Sequence, residues 1–153
     1  MYKLFDNLQS SVQIVKSGGV GIIKTDTIYG FVASAFNISA VERVYKIKHR
    51  STAKKCIILA ADYEQLKPFN IKDYHVYKNK VNKYWPGPYS LILPVFGDDY
   101  RYLTLGTPDL AFRVPQNDQL TDYLLQTGPL IAPSANLESK LTVESAQQAE
   151  QIF

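Results

Sequence analysis

With 153 residues, 46% hydrophobic, 20% charged and a net charge of +3, the chain is long enough to bury one ordinary core and reads as a soluble globular domain. No apolar run approaches the roughly 20 residues a membrane span needs. The N-terminal MYKLFDNLQSSVQIV lacks the charged start and apolar block of a secretory signal, and a lone cysteine, Cys56, excludes an internal disulfide. A cytoplasmic protein with no membrane partner is the expectation.

The charge is unevenly spread. Residues 24–83 hold 12 Lys or Arg against 5 Asp or Glu, while the remainder holds 5 against 9. Such a basic region attracts a polyanion such as nucleic acid, or a small anion such as a nucleotide phosphate. For the individual lysines from Lys67 to Lys83, a solvated helix face is the simpler reading.

In chain order, Leu8, Val12 and Val15 recur at helical spacing behind Asp6 and Asn7, either of which could cap a first helix, and Gly18-Gly19 ends it. Val20, Ile22 and Ile23 then form a short strand that delivers Lys24-Thr25-Asp26-Thr27 to its end, with Gly30 allowing a close backbone turn. These hydroxyls, followed by Lys48, Arg50, Lys54 and Lys55, suggest an anion site. Ser39 and Glu42 have capping-box spacing and predict a second helix along Ala40, Val41, Val44 and Ile47. Lys48 falls on or near the apolar stripe of that helix, where it either meets an anion or snorkels at the helix C-terminus.

The run CIILAA, residues 56–61, suits a strand covered on both faces, with Cys56 a core residue. His49 and His75 are isolated, and no spacing of His, Cys, Asp or Glu makes a metal motif. From Asn70 to Tyr84, tyrosines and Val81 repeat every three or four residues, predicting an amphipathic helix that ends at Trp85-Pro86-Gly87-Pro88. Its aromatics read as core rather than as a platform for stacking RNA bases. Residues 89–96 and 110–114 read as strands around a polar loop containing Asp98-Asp99, which solvates the loop. Arg113 interrupts an apolar strand and must either reach solvent or meet a carboxylate or phosphate. A helix from Leu120 stops at Thr127-Gly128, residues 129–132 form a short strand, Ser134 and Asn136 lie in the loop beyond it, and a last helical pattern opens at Thr142. Alternating strands and helices predict an α/β domain on a twisted sheet.

Familiar nucleotide motifs are missing. The Gly18-Gly19-Val20-Gly21 run lacks the downstream Gly-Lys-Ser/Thr of a P-loop and precedes a strand instead of following one. There is no paired-carboxylate or Ser-His-Asp signature either.

Taken in order, five segments resemble the threonylcarbamoyl-AMP synthase family, the YrdC-like proteins of tRNA modification. These are Thr25-Asp26-Thr27-Ile28-Tyr29-Gly30, Lys48-His49-Arg50, Trp85-Pro86-Gly87-Pro88, Arg113-Val114-Pro115 and Ala132-Pro133-Ser134-Ala135-Asn136. The resemblance covers the chain from about Gly18 onward. It implies one YrdC-like α/β domain over residues 1–153, a twisted mixed sheet flanked by helices, short at its C-terminus relative to the family.

The resemblance also implies a nucleotidyltransferase that condenses L-threonine, bicarbonate and ATP to threonylcarbamoyl-AMP with loss of pyrophosphate. The activated group then passes to an adenosine of tRNA through downstream transfer proteins. By that carry-over Lys48, Arg50, Ser134 and Asn136 form the catalytic core; Thr27, Leu59, Arg113 and Ala132 contact threonine; Arg50, Lys54, Asp109, Ser134 and Thr142 contact ATP. Mg2+ on the phosphates is expected, without dedicated protein ligands. The chain departs from the family pattern at Lys24, His49, Ser51, Lys55 and Glu138-Ser139. The alternatives are a YrdC-like module that binds tRNA or double-stranded RNA, a paralogue without synthase activity, and carbamoyl-adenylate chemistry on another acceptor.

Overall fold

The computed structural model describes Leu4, Phe5 and residues 7–153. Asn7 caps the first helical segment by accepting from Ser10 N at 3.1 Å, whereas Asp6 lies outside the described residues. A 3-10 turn, Leu8–Ser11, leads into α1 (Val12–Lys16), which ends where Gly18 takes a φ of 84°.

Next come β1 (Gly21–Lys24), β2 (Tyr29–Ser34) and α2 (Ile38–Ile47). The predicted Ser39–Glu42 box does not start α2. Asn37 does, taking the Ala40 N–H at 2.9 Å, so the helix begins before Ser39. After β3 (Ile57–Leu59), a 3-10 segment Glu64–Phe69 precedes α3 (Tyr74–Val81). That helix is shorter than its tyrosine pattern suggests: Tyr74 and Tyr77 pack against the core, but Tyr84 lies beyond the helix, exposed against Tyr89. The chain continues through β4 (Leu91–Pro94), α4 (Arg101–Thr104), β5 (Asp109–Arg113), α5 (Asp118–Thr127), β6 (Leu130–Ile131) and α6 (Ala146–Ile152). Helix α6 starts at Ala146 rather than Thr142, because Ser145 supplies its cap by accepting from Gln148 N.

The six strands form one mixed sheet in the order β1-β2-β6-β3-β5-β4, in which only β3 and β5 run parallel. Side chains alternate across each strand, so register alone assigns them to faces. Ala33, Ile131, Ile58 and Phe112 lie in register on one face, under α2, α3, α4 and α6. Val32, Leu130, Leu59 and Arg113 point to the other, which α1 and α5 cover with Val12, Val15, Leu120, Tyr123 and Leu124. That cover is partial. Farther along the same face Ile57 and Ala111 are half-buried and Ile92 is 69% exposed. The uncovered stretch is the floor of a cleft.

Candidate active site

Two backbone seams bring the cleft walls together. Ala135 N donates to Tyr29 O at 2.8 Å and Phe31 N to Pro133 O at 2.8 Å, with Gly30 and Ser134 paired between them. The close approach favours glycine: a Cβ on Gly30 would stand 3.3 Å from Pro133 O, and the two seams would have to part slightly to admit it. The 25–30 segment and the 132–136 segment, distant in sequence, are thus one surface.

At the hairpin tip, buried Thr25 accepts the N–H groups of Thr27 and Ile28 and donates to Ile28 O at 2.7 Å, holding a tight turn. The turn presents Asp26 to Arg113, whose Nη2 donates to Asp26 Oδ1 at 2.9 Å and to Thr27 Oγ1 at 3.4 Å. Three strands separate β1 from β5 in the sheet. In a flat sheet that distance would be about 19 Å, so the β1–β2 hairpin must curl over the cleft floor. Both side chains of the pair are only 8% exposed. Arg113 therefore meets a carboxylate rather than solvent, and its Nε is buried without a hydrogen-bond partner. A guanidinium with a dry donor left over, and with Nη2 against the Thr27 hydroxyl, is suited to a further planar anion.

Lys48, the C-cap of α2, is 1% exposed. It neither snorkels nor meets an anion. Its Nζ donates to Ser134 O at 2.5 Å, Asn136 O at 2.6 Å and Asn136 Oδ1 at 3.0 Å, over the Phe31 ring. Burial, then the nearby Arg50 charge, lowers its pKa to about 8. The loop it holds is internally satisfied: Ser134 Oγ donates to Asn136 Oδ1 at 2.6 Å, and Asn136 Nδ2 to Lys140 O at 2.7 Å. Lys48 and Asn136 thus act here as positioning groups for the Ser134 hydroxyl.

The remaining cations are also engaged. Arg50 donates to Lys54 O and Lys55 O and lies over Tyr45. Lys54 pairs with Glu138, which also accepts from Ser51 N at 2.8 Å. Lys55 pairs with Asp109 and donates to Thr107 at 2.7 Å.

Most sequence-derived site residues lie around this cleft. Thr27, Arg113, Ala132, Ser134 and Asp109 belong to one face or its rim. Thr142 sits beside the loop, because Val143 N donates to Ala135 O at 2.8 Å. Leu59 shares the register of Arg113 but is fully buried beneath α1 and α5. Sequence reasoning gave no role to Asp26, Ile57 or Ala111. The two-residue spacing to Arg113 and to Leu59 was the available signal for Ala111 and Ile57; none existed for the Asp26–Arg113 pair. Cys56 is buried against Tyr45, and burial raises its pKa, so it is no nucleophile.

Fold and site together define an open mixed-sheet α/β domain with an arginine-and-hydroxyl cleft facing a lysine-anchored loop. The chain belongs to the Sua5/YciO/YrdC family, described as telomere recombination, whose model matches residues 13–153. It is 35% identical over 136 residues to a Photobacterium profundum threonylcarbamoyl-AMP synthase, covering 86% of this chain and 73% of that one. A Pyrococcus abyssi protein of the same name is 30% identical over 140 residues; the match covers 91% of this chain but only 41% of that protein. Among solved structures, P. abyssi Sua5 complexed with L-threonine superposes with a TM-score of 0.85 at 28% identity, over 95% of this chain and 43% of that one. Escherichia coli YciO shares the fold, with a TM-score of 0.78 at 22% identity, over 95% of this chain and 72% of that one.

Proposed function

We propose that this protein is an L-threonylcarbamoyladenylate synthase, joining L-threonine, bicarbonate and ATP with release of pyrophosphate. The observation that carries this reading is Arg113, which keeps a dry, unpartnered Nε and sets Nη2 against Thr27, in a fold that a threonine-bound relative shares. Arg113 would take the threonine carboxylate, Thr27 and Ala132 would line its backbone and side chain, and Leu59 would pack beside Arg113 under α1 and α5.

The threonine amine condenses with bicarbonate to a carbamate and water. A carbamate oxygen then attacks the α-phosphorus of ATP, forming one P–O bond while the bond to the β-phosphate oxygen breaks and pyrophosphate leaves. No covalent enzyme intermediate is needed. Arg50 and Lys54 would offset the charge moving onto pyrophosphate, Ser134 would orient the α-phosphate, and Asp109 and Thr142 would bound the nucleotide. Lys48 acts through the loop by fixing Ser134 and Asn136. Among the described residues no group of three or more His, Cys, Asp or Glu could hold a metal ion, so Mg2+ would be held by phosphate oxygens and water.

On this reading the protein works in the cytoplasm, and its product passes to tRNA through other proteins. No helix among the described residues is long and apolar enough to cross a membrane. The test is pyrophosphate release with ATP and bicarbonate plus threonine, serine or no amino acid. Release should require threonine; release that ignores it would overturn the assignment.

A further inference from the structure

The carboxylate of Glu138 makes two contacts of different kinds. One oxygen pairs with the Lys54 ammonium, and the other accepts the Ser51 N–H at 2.8 Å. A cation plus a backbone N–H is the donor combination that proteins commonly offer to a phosphate. Both donors follow Arg50 in the chain, and its guanidinium closes their turn by donating to Lys54 O and Lys55 O. Glu138 thus occupies a prepared anion seat.

We propose that Glu138 is an internal occupant of the nucleotide phosphate site, which ATP must displace before Lys54 and Ser51 N–H can bind a phosphate. The proposal rests on the reading of Arg50 and Lys54 as ATP contacts. The geometry makes the exchange local. Backbone at residue 138 is held independently, with Glu138 N donating to Lys48 O at 3.1 Å, and the 134–136 segment is anchored by Lys48 Nζ. A side-chain rotation can therefore vacate the seat without moving the loop. The Glu138 side chain is 24% exposed and Lys54 57%, so solvent is available to receive the displaced carboxylate. Like charge forbids sharing: a phosphate oxygen and the carboxylate cannot both lie against Lys54 at contact distance without strong repulsion.

Physically, Glu138 stops the Lys54 ammonium and Ser51 N–H from capturing stray anions, and it sets nucleotide affinity below what the bare cations would give. Asp109 likewise pairs with Lys55, whose ammonium also donates to Thr107.

The experiment is calorimetric titration of ATP and, separately, inorganic pyrophosphate into the wild type, E138Q and E42Q. Glu42 is exposed on α2, and E42Q makes the same charge change away from the seat. E138Q should bind both anions about 2- to 5-fold more tightly, the range expected for removing one solvent-accessible competitor of an ion pair, while E42Q stays at the wild-type value. In turnover, the KM for ATP should fall in E138Q with the KM for threonine unchanged. E138A, which vacates the seat altogether, should gain at least as much. Equal or weaker binding by E138Q would overturn the proposal and leave the synthase reading intact if the wild type still releases pyrophosphate with threonine. Weaker binding confined to Mg2+-ATP would make Glu138 a metal contact, which also overturns it. Failure of every variant to bind either anion would overturn both.

Discussion

Replacing Lys48 by methionine should cut activity steeply while leaving the fold standing. The substitution removes three hydrogen bonds, from Nζ to Ser134 O, Asn136 O and Asn136 Oδ1. Asn136 Oδ1 keeps the Ser134 hydroxyl as a donor and Ser134 O keeps the Asn136 N–H at 3.0 Å, so of the three acceptors Asn136 O alone loses its partner, at ~1–3 kcal/mol. Against this, the fold no longer bears the desolvated ammonium. The drop in Lys48 pKa from the ordinary 10.5 to about 8 corresponds to ~3 kcal/mol at about 1.36 kcal/mol per pH unit. The two contributions nearly cancel, so the net change in stability is within about 2 kcal/mol, well inside the 5–15 kcal/mol that roughly bounds domain stability. Freed of its anchor, the 134–136 loop should lose its alignment, and pyrophosphate release should fall about 100-fold or more.

A pH arm isolates the lysine itself. Its folded pKa lies below its unfolded one, so between about pH 8 and 10 the unfolded chain holds a proton the folded chain has released, and stability rises with pH by up to ~1.4 kcal/mol per unit. Toward the top of that range burial-raised tyrosines act oppositely: Tyr63, Tyr74 and Tyr102, pushed up to about 12, stay protonated in the fold while unfolded tyrosines ionise. Urea unfolding of wild type and K48M at pH 7, 8, 9 and 10 should show the wild type gaining on the variant by about 2–3 kcal/mol. Identical pH slopes, or K48M activity within about threefold of wild type, would refute the reasoning.

Other consequences concern the opposite wall. D26N should destabilise by about 3–5 kcal/mol in urea unfolding, because it strips the counter-charge from an arginine whose surroundings are dry. R113K keeps the charge but loses the fork, and should raise the KM for threonine about 10-fold or more while sparing the KM for ATP. In G30A the new methyl meets Pro133 O at 3.3 Å and Thr25 Cγ2 at 3.6 Å; a stability loss of about 1–2 kcal/mol in thermal melts, with a raised KM for threonine, is expected from prising the two seams apart.

Local chemistry made much of the fold legible. The glycine stop after α1, a strand within CIILAA (Ile57–Leu59) and the helix ending at Thr127-Gly128 are short-range patterns, and all are present. Where two local signals competed, spacing misled. Asn37 captured the cap that Ser39 seemed to offer, and the tyrosine ladder to Tyr84 outran the helix that carries it, since only Val81 in α3 is fully buried.

The sequence by itself determined that hydroxyls at 25–27, cations at 48–55 and a small polar loop at 134–136 would belong to one anion-handling α/β domain, because residue type and order alone carry that resemblance. Only the tertiary structure decided what each charge does. Lys48 is spent on carbonyls 86 and 88 residues away, Arg113 on a carboxylate 87 residues away, and Lys54 on Glu138, 84 residues away. Pairings of that kind follow from sheet register and from a curled hairpin, and neither is encoded in the neighbourhood of the residues they join.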